Sequence, residues 1–396
     1  MKAVILAAGK STRTYPLTLS IPKVLLPIAN KPLLQHNLEN LEGSVDEAIL
    51  IVGYKREMIE ERFGSNFKGI KLTYAEQKDQ LGTGHAVLPA EGHVKGRFIV
   101  MNGDDIYNRS NIKDVIDFNY SLLVEKVKDP GRFGVWVTED NKVKDFAEKP
   151  KEFISDLANC GLYVLDDRIF DEIKKLKKSE RGEYEINEAI NAFAKYQDVN
   201  CVVSNNRWLS VGYPWSLLEV NEKLLGEMKD SDIQGKVEPN ATIKGNVWVG
   251  KETVIRNGAY IEGPVIIGDN CSIGPNCYIR AFTSIGSNCR VGNAVEIKNC
   301  IIMDNTKIGH LSYFGDSIVG SNVNIGGGTI VANIRHDNKN VKTYVNGNLT
   351  DTGRKKFGTV IGDNVKTGMN TSIYPGRKIW PEKQTSPCQV VDKDLK

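Results

Sequence analysis

The sequence predicts an α/β domain followed by a parallel β-helix, and three observations support this fold class. The chain has 396 residues, too long for one ordinary hydrophobic core, so two domains are expected. Strand-like and helix-like segments alternate in the first half, as they do in α/β sheets. In the second half, aliphatic residues recur every six positions from about Val237 to the C-terminal region. We therefore predict domains at residues 1–228 and 229–396.

The six-residue repeat defines the second domain. A period of six matches neither the 3.6-residue turn of an α-helix nor the two-residue alternation of a plain strand. It fits a coil of triangular section, in which three short parallel strands complete one turn and stacked turns share one core. Four residues after each aliphatic position lies a smaller side chain, and both are predicted to point inward. The aliphatic positions are Val237, Ile243, Val249, Ile255, Ile261, Ile267, Ile273, Ile279, Ile285, Val291, Ile297 and Met303.

The repeat breaks its own rule at three places. A step of five residues separates Met303 from Ile308, and another separates Phe314 from Val319. After Val331 the pattern vanishes, and it returns at Ile361 after a polar stretch. Violations of a regular pattern are candidate functional sites. His310 lies between the first two breaks and is therefore a candidate functional residue.

The first domain opens with a candidate phosphate-binding loop. The apolar run Lys2–Ala7 leads into Ala8-Gly9-Lys10-Ser11-Thr12-Arg13, and a strand that feeds a glycine-containing turn can aim backbone N–H groups at phosphate oxygens. Arg13 and Lys23 could both neutralise a polyphosphate. The later strand-like runs are expected to join one sheet with parallel strands; they are Glu47–Val52, Lys71–Ala75, Phe98–Met101 and Cys160–Leu165.

A candidate metal ligand follows the third of these runs. Ligands of parallel α/β sheets bind beyond the carboxyl ends of the strands. Asp104 comes two residues after Asn102, at that edge, and a carboxylate there suits Mg²⁺ on a nucleotide. A turn-capping role for Asp104 is the alternative.

Composition excludes several classes of partner. Lys and Arg number 52 against 49 Asp and Glu, which argues against a broad nucleic-acid or membrane surface. No signal peptide or membrane-spanning run is visible, so a cytoplasmic protein is expected. The seven cysteines form no CxxC pair. Cys271, Cys277 and Cys289 fall on the small inward positions, where a thiol acts as a compact apolar group.

Several motifs together resemble those of the sugar-1-phosphate nucleotidylyltransferases. They are Leu6-Ala7-Ala8-Gly9-x-x-Thr12-Arg13, Pro22-Lys23 and Gly103-Asp104. Two further stretches resemble the bifunctional enzymes that make UDP-N-acetylglucosamine, and the archaeal form of that family is the closest resemblance, covering nearly the whole chain. These stretches are Gln80-Leu81-Gly82-Thr83-Gly84-His85-Ala86 and His310-Leu311-Ser312-Tyr313-Phe314-Gly315-Asp316. The resemblance implies a Rossmann-like nucleotidyltransferase domain followed by a left-handed β-helix.

The resemblance also implies roles for residues of the first domain. Leu6, Ala7, Ala8, Gly9 and Lys10 would wrap the nucleotide, with Arg13 and Lys23 as catalytic cations on the α-phosphate of UTP or dTTP. Gln77, Gly82 and Thr83 would lie on the base side, and Asp104 would hold Mg²⁺. Gly134, Glu148, Lys149 and Asn159 would bind the sugar 1-phosphate.

In the β-helix the resemblance implies an acetyl-CoA-dependent acetyltransferase. An amine that attacks a thioester must be neutral, and a histidine can take its proton at physiological pH. His310 is the candidate base. Arg280, Lys298, Tyr313 and Asn324 would bind the sugar phosphate, whereas Asn333, Lys339 and Gly327 would lie towards acetyl-CoA. Lys342, Arg354, Lys355 and Lys356 form a basic loop that could meet the phosphates of coenzyme A or simply be solvated.

The sequence departs from the family pattern at four positions. Ser11 replaces a usual glycine, a modest change if its φ is negative. Ser210 stands where relatives commonly carry a second aspartate for Mg²⁺, and a hydroxyl is a much poorer ligand for that ion. Ser216 also stands where an acidic residue is frequent, and Ile334 where bacterial enzymes have an aromatic residue near acetyl-CoA.

Two alternatives to the bifunctional enzyme stay open. The chain could be a glucose-1-phosphate thymidylyltransferase whose β-helix only assembles subunits, although the His310 segment argues against this. It could also be a non-catalytic scaffold, like the β-helix subunits of the eukaryotic translation-initiation exchange factor, although Arg13, Lys23 and Asp104 argue against that. Because hexapeptide β-helices usually trimerise, a trimer or a multiple of one is expected.

Overall fold

A computed structural model describes residues 1–205 and 208–396. By backbone contacts the chain divides into two compact units. The first, the sheet unit, comprises Met1–Lys10 and Leu33–Ser210, and the second, the β-helix unit, comprises Ser11–Pro32 and Val211–Lys396. Segments 11–32 and 211–228 thus group with the repeat. The domain boundary between residues 228 and 229 stays a prediction.

The strands and helices of the N-terminal part are short. The strands are β1 (Lys2–Leu6), β2 (Pro27–Ile28), β3 (Lys31–Pro32), β4 (Glu47–Val52), β5 (Asn66–Phe67), β6 (Ile70–Glu76), β7 (Arg97–Asn102), β8 (Asp105–Tyr107), β9 (Ser121–Lys126), β10 (Gly134–Glu139), β11 (Lys142–Glu148), β12 (Leu157–Asp166), β13 (Asn200–Val203) and β14 (Trp208–Ser210). The α-helices are α1 (Leu33–Leu41), α2 (Arg56–Phe63), α3 (Thr83–Val87), α4 (Arg109–Ile116), α5 (Ile169–Lys175), α6 (Ile186–Phe193) and α7 (Pro214–Gly226).

The sheet unit is built on one mixed sheet with the strand order β10-β11-β13-β9-β12-β7-β1-β4-β6-β5. Strands β7, β1, β4 and β6 run parallel, as predicted. The expectation of a parallel strand at Cys160–Leu165 is wrong, because β12 pairs antiparallel with both β7 and β9. β12 is also buried along almost its whole length, so its apolar run could not reveal its direction.

Helix α6 shows how the sheet is covered. Ile186, Ala189, Ile190 and Phe193 are buried, and they recur at the three- and four-residue spacing of one helix face. They pack in the same apolar cluster as buried strand residues such as Val100.

The β-helix unit continues with a series of very short strands. These are β15 (Asp232–Ile233), β16 (Lys236–Val237), β17 (Thr242–Lys244), β18 (Val247–Val249), β19 (Val254–Ile255), β20 (Tyr260–Glu262), β21 (Val265–Ile267), β22 (Ser272–Ile273), β23 (Tyr278–Ile279), β24 (Thr283–Ile285), β25 (Arg290–Asn293), β26 (Glu296–Lys298), β27 (Ile301–Ile302), β28 (Lys307–His310), β29 (Tyr313–Gly315), β30 (Ile318–Val319), β31 (Asn324–Ile325), β32 (Ile330–Val331), β33 (Lys342–Val345), β34 (Asn348–Asp351), β35 (Val360–Ile361), β36 (Ser372–Ile373), β37 (Lys378–Ile379) and β38 (Val390–Val391).

These strands form three parallel sheets, consistent with the predicted β-helix. The sheet orders are β15-β18-β21-β24-β27-β30-β35-β37, β16-β19-β22-β25-β28-β31 and β17-β20-β23-β26-β29-β32-β36-β38. Each strand up to β29 therefore pairs with the third strand after it. The predicted aliphatic residues from Val249 to Ile297 are buried in one shared core, together with the predicted cysteines. At the start of the repeat Val237 is 37% exposed, so the core does not extend to it.

The first break of the repeat lies earlier than predicted. Ile302, not Met303, aligns with Ile285 of the preceding turn and joins the core. Cys300 likewise takes the small inward position that was predicted for Ile301. The corner before β27 is therefore one residue shorter than predicted. Because both neighbours of Ile302 are also apolar, the sequence alone could not show which of the three residues points inward.

Helix α7 packs on the repeat within the β-helix unit. Its buried Asn221 donates from Nδ2 to the carbonyl of Phe282 at 3.0 Å. The Asn221 Oδ1 accepts from the N–H of Ala29 at 2.9 Å and is 3.1 Å from the Ser284 hydroxyl, a donor. No helix of the described residues, α7 included, is long and apolar enough to cross a membrane.

The hairpin β33–β34 fills the predicted gap in the repeat. Lys342–Val345 pairs antiparallel with Asn348–Asp351 between two turns of the coil. The repeat then resumes at β35, whose Ile361 lies beside Val319.

Candidate functional site

The candidate phosphate loop begins where β1 ends. The N–H of Ala7 donates to Ile51 at 2.8 Å, and the N–H of Gly103 donates to the carbonyl of Leu6 at 2.9 Å. These bonds hold the chain beside its two parallel neighbours up to the sheet edge. Ala7 and Ala8 are buried, whereas Gly9 and Lys10 are exposed. The backbone from Gly9 onwards is thus accessible to an anion.

Gln80 braces this loop, and sequence reasoning missed it as a site residue. Its Nε2 donates to the carbonyl of Ala8 at 2.7 Å, and its Oε1 accepts from the N–H of Lys10 at 3.2 Å. One amide therefore fixes both ends of the segment that carries Gly9. The contact spans about 70 residues of sequence, so no local pattern reveals it.

The predicted base-side residues lie together in one loop. Gln77 is buried, and its Nε2 lies 3.1 Å from Nδ1 of His85. Gly82 has φ +108, and a Cβ there would lie 2.7 Å from the carbonyl oxygen of Tyr184. The Thr83 hydroxyl accepts from the N–H of Ile186 at 3.1 Å, so it supports the start of α6. The nucleotide-binding role of Thr83 stays a prediction.

The predicted sugar-binding residues of the sheet unit form a second group. Gly134 pairs with Glu148 across β10 and β11, and a Cβ on Gly134 would lie 2.7 Å from the Glu148 carboxylate. The ammonium of Lys149 lies 3.8 Å from the same carboxylate. Arg181, which was not predicted, lies 3.3 Å from it. This carboxylate and two cations could bind the hydroxyls and the phosphate of a sugar phosphate.

Asn159 lies deeper in the sheet. Its Oδ1 accepts from the Trp136 indole at 3.1 Å, and its Nδ2 donates to Asn187 at 3.1 Å. The Tyr163 hydroxyl lies 2.8 Å from the same Nδ2. The Asn159 side chain is therefore held rigidly.

The candidate metal position lies in the turn between β7 and β8. Asp104 is half-buried there, and Ser210 of β14 lies opposite Asp105 in the antiparallel β8–β14 pair. The described residues contain no group of three or more His, Cys, Asp or Glu side chains able to hold a metal. The Asp104 carboxylate alone could hold a Mg²⁺ ion only if that ion takes its other ligands from substrate phosphates and water.

Arg13, Lys23 and Ser11 belong to the β-helix unit. Arg13 is exposed, whereas Lys23 is only 4% exposed. Ser11 has φ +52. The replacement of the usual glycine by Ser11 was expected to be a modest change only if this φ were negative, and it is not. The Thr14 and Thr18 hydroxyls donate to the Ser11 carbonyl at 2.7 and 2.9 Å and hold this left-handed turn, a conformation that costs a non-glycine residue about 1–2 kcal/mol.

One corner of the β-helix collects cations and polar groups. Arg280 directly follows β23, Lys298 ends the next strand of the same sheet, β26, and Lys298 lies beside Gly315 of the next turn. Arg280 pairs with Glu296 at 2.9 Å. Burial lowers the pKa of Lys298. Two stacked cations at one corner could bind a phosphate group.

The next turn at this corner adds neutral hydrogen-bonding groups. The Asn333 Nδ2 donates to Asp316 at 2.6 Å and lies 3.4 Å from the Tyr313 hydroxyl. Asp316 also accepts from Asn299 at 2.9 Å and lies 3.8 Å from Arg354. Burial raises the pKa of Tyr313, so its hydroxyl stays protonated at neutral pH. Tyr313, predicted on the sugar side, and Asn333, predicted on the acetyl-CoA side, thus lie within hydrogen-bonding distance of each other.

His310 belongs to a neighbouring sheet of the coil. It ends β28, is exposed, and lies beside Asn293 in register. A Cβ on Gly327 would lie 3.5 Å from the Cβ of His310, so these two predicted residues are adjacent. Asn324 lies beside Lys307, three residues before His310 on the same sheet. The predicted residues therefore form two groups on successive faces of one coil.

A cavity of about 440 Å³ lies next to Asn333. Its wall combines apolar side chains, including Ile334 and Val341, with the basic side chains of Lys342 and Arg377. Lys339 is exposed in the same segment. Arg354 does not belong to an open basic loop, because its side chain is only 16% exposed and pairs with Glu222 at 2.7 Å.

Comparison with known proteins finds matches along the chain. A family model described as nucleotidyl transferase matches residues 2–227, and a GMPPB C-terminal domain model matches residues 261–393. The bifunctional protein GlmU of Methanococcus maripaludis strain C7 is 46% identical over 398 aligned residues, which cover 100% of this chain and 95% of that protein. The GlmU of Methanocaldococcus jannaschii is 42% identical over 396 residues, with coverages of 100% and 96%.

Two further comparisons extend these similarities. A bifunctional sugar-1-phosphate nucleotidylyltransferase/acetyltransferase of Sulfurisphaera tokodaii is 37% identical over 401 residues, with coverages of 100% and 98%. Among solved structures, a Bacillus anthracis chain described as a glucose-1-phosphate thymidylyltransferase is 30% identical, with a TM-score of 0.53. That similarity covers 59% of this chain and 98% of the Bacillus chain.

Proposed function

This chain belongs to the family of bifunctional GlmU proteins, and from that premise we propose that it catalyses two steps of UDP-N-acetylglucosamine synthesis. Glucosamine 1-phosphate is acetylated by acetyl-CoA at the β-helix. The N-acetylglucosamine 1-phosphate then attacks UTP, and pyrophosphate is released. The observation that carries this proposal is that relatives named bifunctional align along the full length of the chain.

For uridylyl transfer the residues act by positioning and charge. The sugar phosphate attacks the α-phosphorus in line with the departing pyrophosphate, so no protein nucleophile is needed. The loop around Gly9 binds the nucleotide phosphates, and Arg13 and Lys23 stabilise the charge that develops on them. Asp104 would hold Mg²⁺, which would supply further positive charge to the nucleotide phosphates. Gln77 and Gly82 orient the base, and Glu148 and Asn159 the sugar.

For acetyl transfer the β-helix supplies a base and a phosphate site. Arg280 and Lys298 bind the phosphate of the amino sugar, while Tyr313 and Asn324 contact the sugar. His310 takes a proton from the amine as its nitrogen attacks the thioester carbonyl and the coenzyme A thiolate leaves. The cavity beside Asn333 supports placing acetyl-CoA on that side, with Gly327 and Lys339.

We also propose that the coil is left-handed and that the protein forms a trimer or a multiple of one, with acetyl-CoA bound between neighbouring subunits. The separation of His310 from the Tyr313 group on successive faces supports a site that a second subunit completes. Light scattering should report at least a trimer. A stable monomer would contradict this part of the proposal.

A glucose-1-phosphate thymidylyltransferase remains the second candidate, favoured by the similarity to the Bacillus chain. One substrate panel separates the two: UTP and dTTP with several sugar 1-phosphates, each with and without Mg²⁺, and acetyl-CoA tested separately on amino-sugar 1-phosphates. We expect pyrophosphate release with UTP and N-acetylglucosamine 1-phosphate, and free thiol from acetyl-CoA with glucosamine 1-phosphate. Activity confined to dTTP and glucose 1-phosphate, with no thiol release, would favour the thymidylyltransferase.

A further inference from the structure

We propose that residues of the β-helix unit position the guanidinium of Arg13 for uridylyl transfer, with Tyr213 as the main positioning residue. The inference rests on the proposed function, since Arg13 is a catalytic cation only in that reaction. Arg13, Tyr213 and the repeat all lie in the β-helix unit.

A line of aromatic rings leads from Arg13 into the β-helix. The guanidinium carbon of Arg13 lies 5.4 Å from the centre of the Tyr213 ring. Tyr213 stacks on Trp215 with 4.5 Å between the ring centres and 5° between their planes. Trp215 meets Phe357 edge to face at 6.1 Å. Phe357 is fully buried, so the last ring of the line is fixed by the core of the unit.

The backbone around Arg13 is held by the same unit. The Asn346 Nδ2 donates to the Thr12 hydroxyl at 3.1 Å from the hairpin β33–β34. The ammonium of Lys378 donates to the carbonyl of Tyr15 at 3.2 Å and to that of Tyr344 at 2.7 Å. Lys378 is only 1% exposed. One buried lysine thus joins the loop that carries Arg13 to the hairpin of the β-helix.

An aromatic support suits a cation that must remain available to phosphate. An arginine side chain carries about 2 kcal/mol of rotamer entropy, which an exposed residue must lose whenever it acts. A carboxylate would hold the guanidinium but also neutralise it, whereas a ring face holds it through a weak attraction of about 0.5–1 kcal/mol. Within its own unit Arg13 pairs with no carboxylate among the described residues. The contact can therefore orient Arg13 without competing with the nucleotide.

The test uses full-length variants and both assays. Tyr213→Ala should lower kcat for pyrophosphate release about 10-fold and leave the KM for UTP within about twofold, because positioning acts mainly in the transition state. Tyr213→Phe keeps the ring and should restore kcat. Tyr120→Ala is the control, since it removes a similar contact with Arg168, 5.6 Å from the ring centre, outside the proposed sites. Acetyl-CoA consumption should stay unchanged in all three.

A double-mutant cycle separates positioning of Arg13 from a general effect. In the Arg13→Ala background, Tyr213→Ala should have no further effect on kcat, because the group it positions is gone. The proposal is overturned if Tyr213→Ala has the wild-type kcat, if Tyr213→Phe is as impaired as Tyr213→Ala, or if the two losses multiply. Equal losses of both activities would also overturn it, as a sign of damage to the fold. Failure of the proposed function is distinguishable from failure of the positioning proposal, because in the first case the wild-type protein itself would release no pyrophosphate.

Discussion

In the sheet unit the phosphate loop is held by Gln80, which reaches it from about 70 residues away, whereas in the β-helix the site residues recur on successive turns of one coil. Arg280 and Lys298 are neighbours because β23 and β26 are neighbours, and Tyr313 begins the next strand of the same sheet. The first site thus depends on single contacts between distant loops. The second depends on the register of the repeat.

This difference has consequences for how each site tolerates change. A repeat spreads the support of any one side chain over the turns above and below it. A loop that is held by one amide or one glycine has no second contact that could compensate for the loss of the first. Substitutions of loop-bracing residues should therefore impair uridylyl transfer alone, without lowering acetyl transfer.

Among the substitutions that test the loops of the sheet unit, the largest effect is expected at Gly82. Gly82→Ala combines a φ of +108 with a Cβ only 2.7 Å from the Tyr184 carbonyl, so the base-side loop must move. Because displacements of about 1 Å can cost about 100-fold, we expect kcat/KM for UTP to fall by one to two orders of magnitude. Acetyl-CoA consumption should not change.

Gly43→Ala is the matched control for this variant. Gly43 has φ +79 but open space around a Cβ, so it shows the backbone strain without the collision. It should keep uridylyl transfer near the wild-type rate. Similar losses in the two variants would assign the effect to strain and not to the position of the loop.

A smaller effect is expected at Gln80. Gln80→Ala removes both hydrogen bonds that brace the loop around Gly9. We expect kcat/KM for UTP to fall about 10-fold, since two hydrogen bonds that each stabilise the loop by about 0.7 kcal/mol are lost. Gln35→Ala, which removes hydrogen bonds to Glu39 and Arg62, serves as the control. An unchanged kcat/KM would show that the loop holds its shape without Gln80 and would break the comparison.

The smallest effect concerns stability and tests the β-helix side. Burial lowers the pKa of Lys378 to about 8 from its usual 10.5, so between these values the unfolded chain binds more protons than the folded one. The free energy of unfolding should therefore rise with pH, by about 1 kcal/mol from pH 8 to pH 9. Lys378→Met should lack this rise. Urea denaturation of both proteins across this range measures it, and parallel pH profiles would contradict it.

The sequence predicted the repeat better than the loops, for physical reasons. A six-residue period leaves its mark at every turn, so the inward residues from Val249 to Ile297 were identified correctly. The sequence predicted Met303 instead of Ile302 as the inward residue, because the neighbours of Ile302 are equally apolar. Gln80 and Arg181 were missed because their contacts join segments distant in sequence. The left-handed conformation of Ser11 likewise depends on Thr14 and Thr18 and not on Ser11 itself.

The sequence also did not predict that residues of the β-helix unit contact the loop that carries Arg13. The motif that contains Arg13 reads as part of the first domain, yet residues 11–32 group with the repeat. Nothing in the local pattern of Tyr213 or Lys378 indicates a contact with that loop. The roles of the individual site residues stay predictions until they are tested.

The central claim is that one chain carries two chemically separate active sites, and His310→Ala tests it most directly. Both reactions should be followed on the same preparation, beside wild type and His93→Ala, whose exposed side chain lies outside the proposed sites. We predict that His310→Ala lowers acetyl-CoA consumption with glucosamine 1-phosphate by about 10²- to 10⁴-fold, the usual contribution of a general base. Pyrophosphate release from UTP and N-acetylglucosamine 1-phosphate should remain at the wild-type rate. Wild-type acetyl-CoA consumption by His310→Ala, or an equal loss of both activities, would contradict the account.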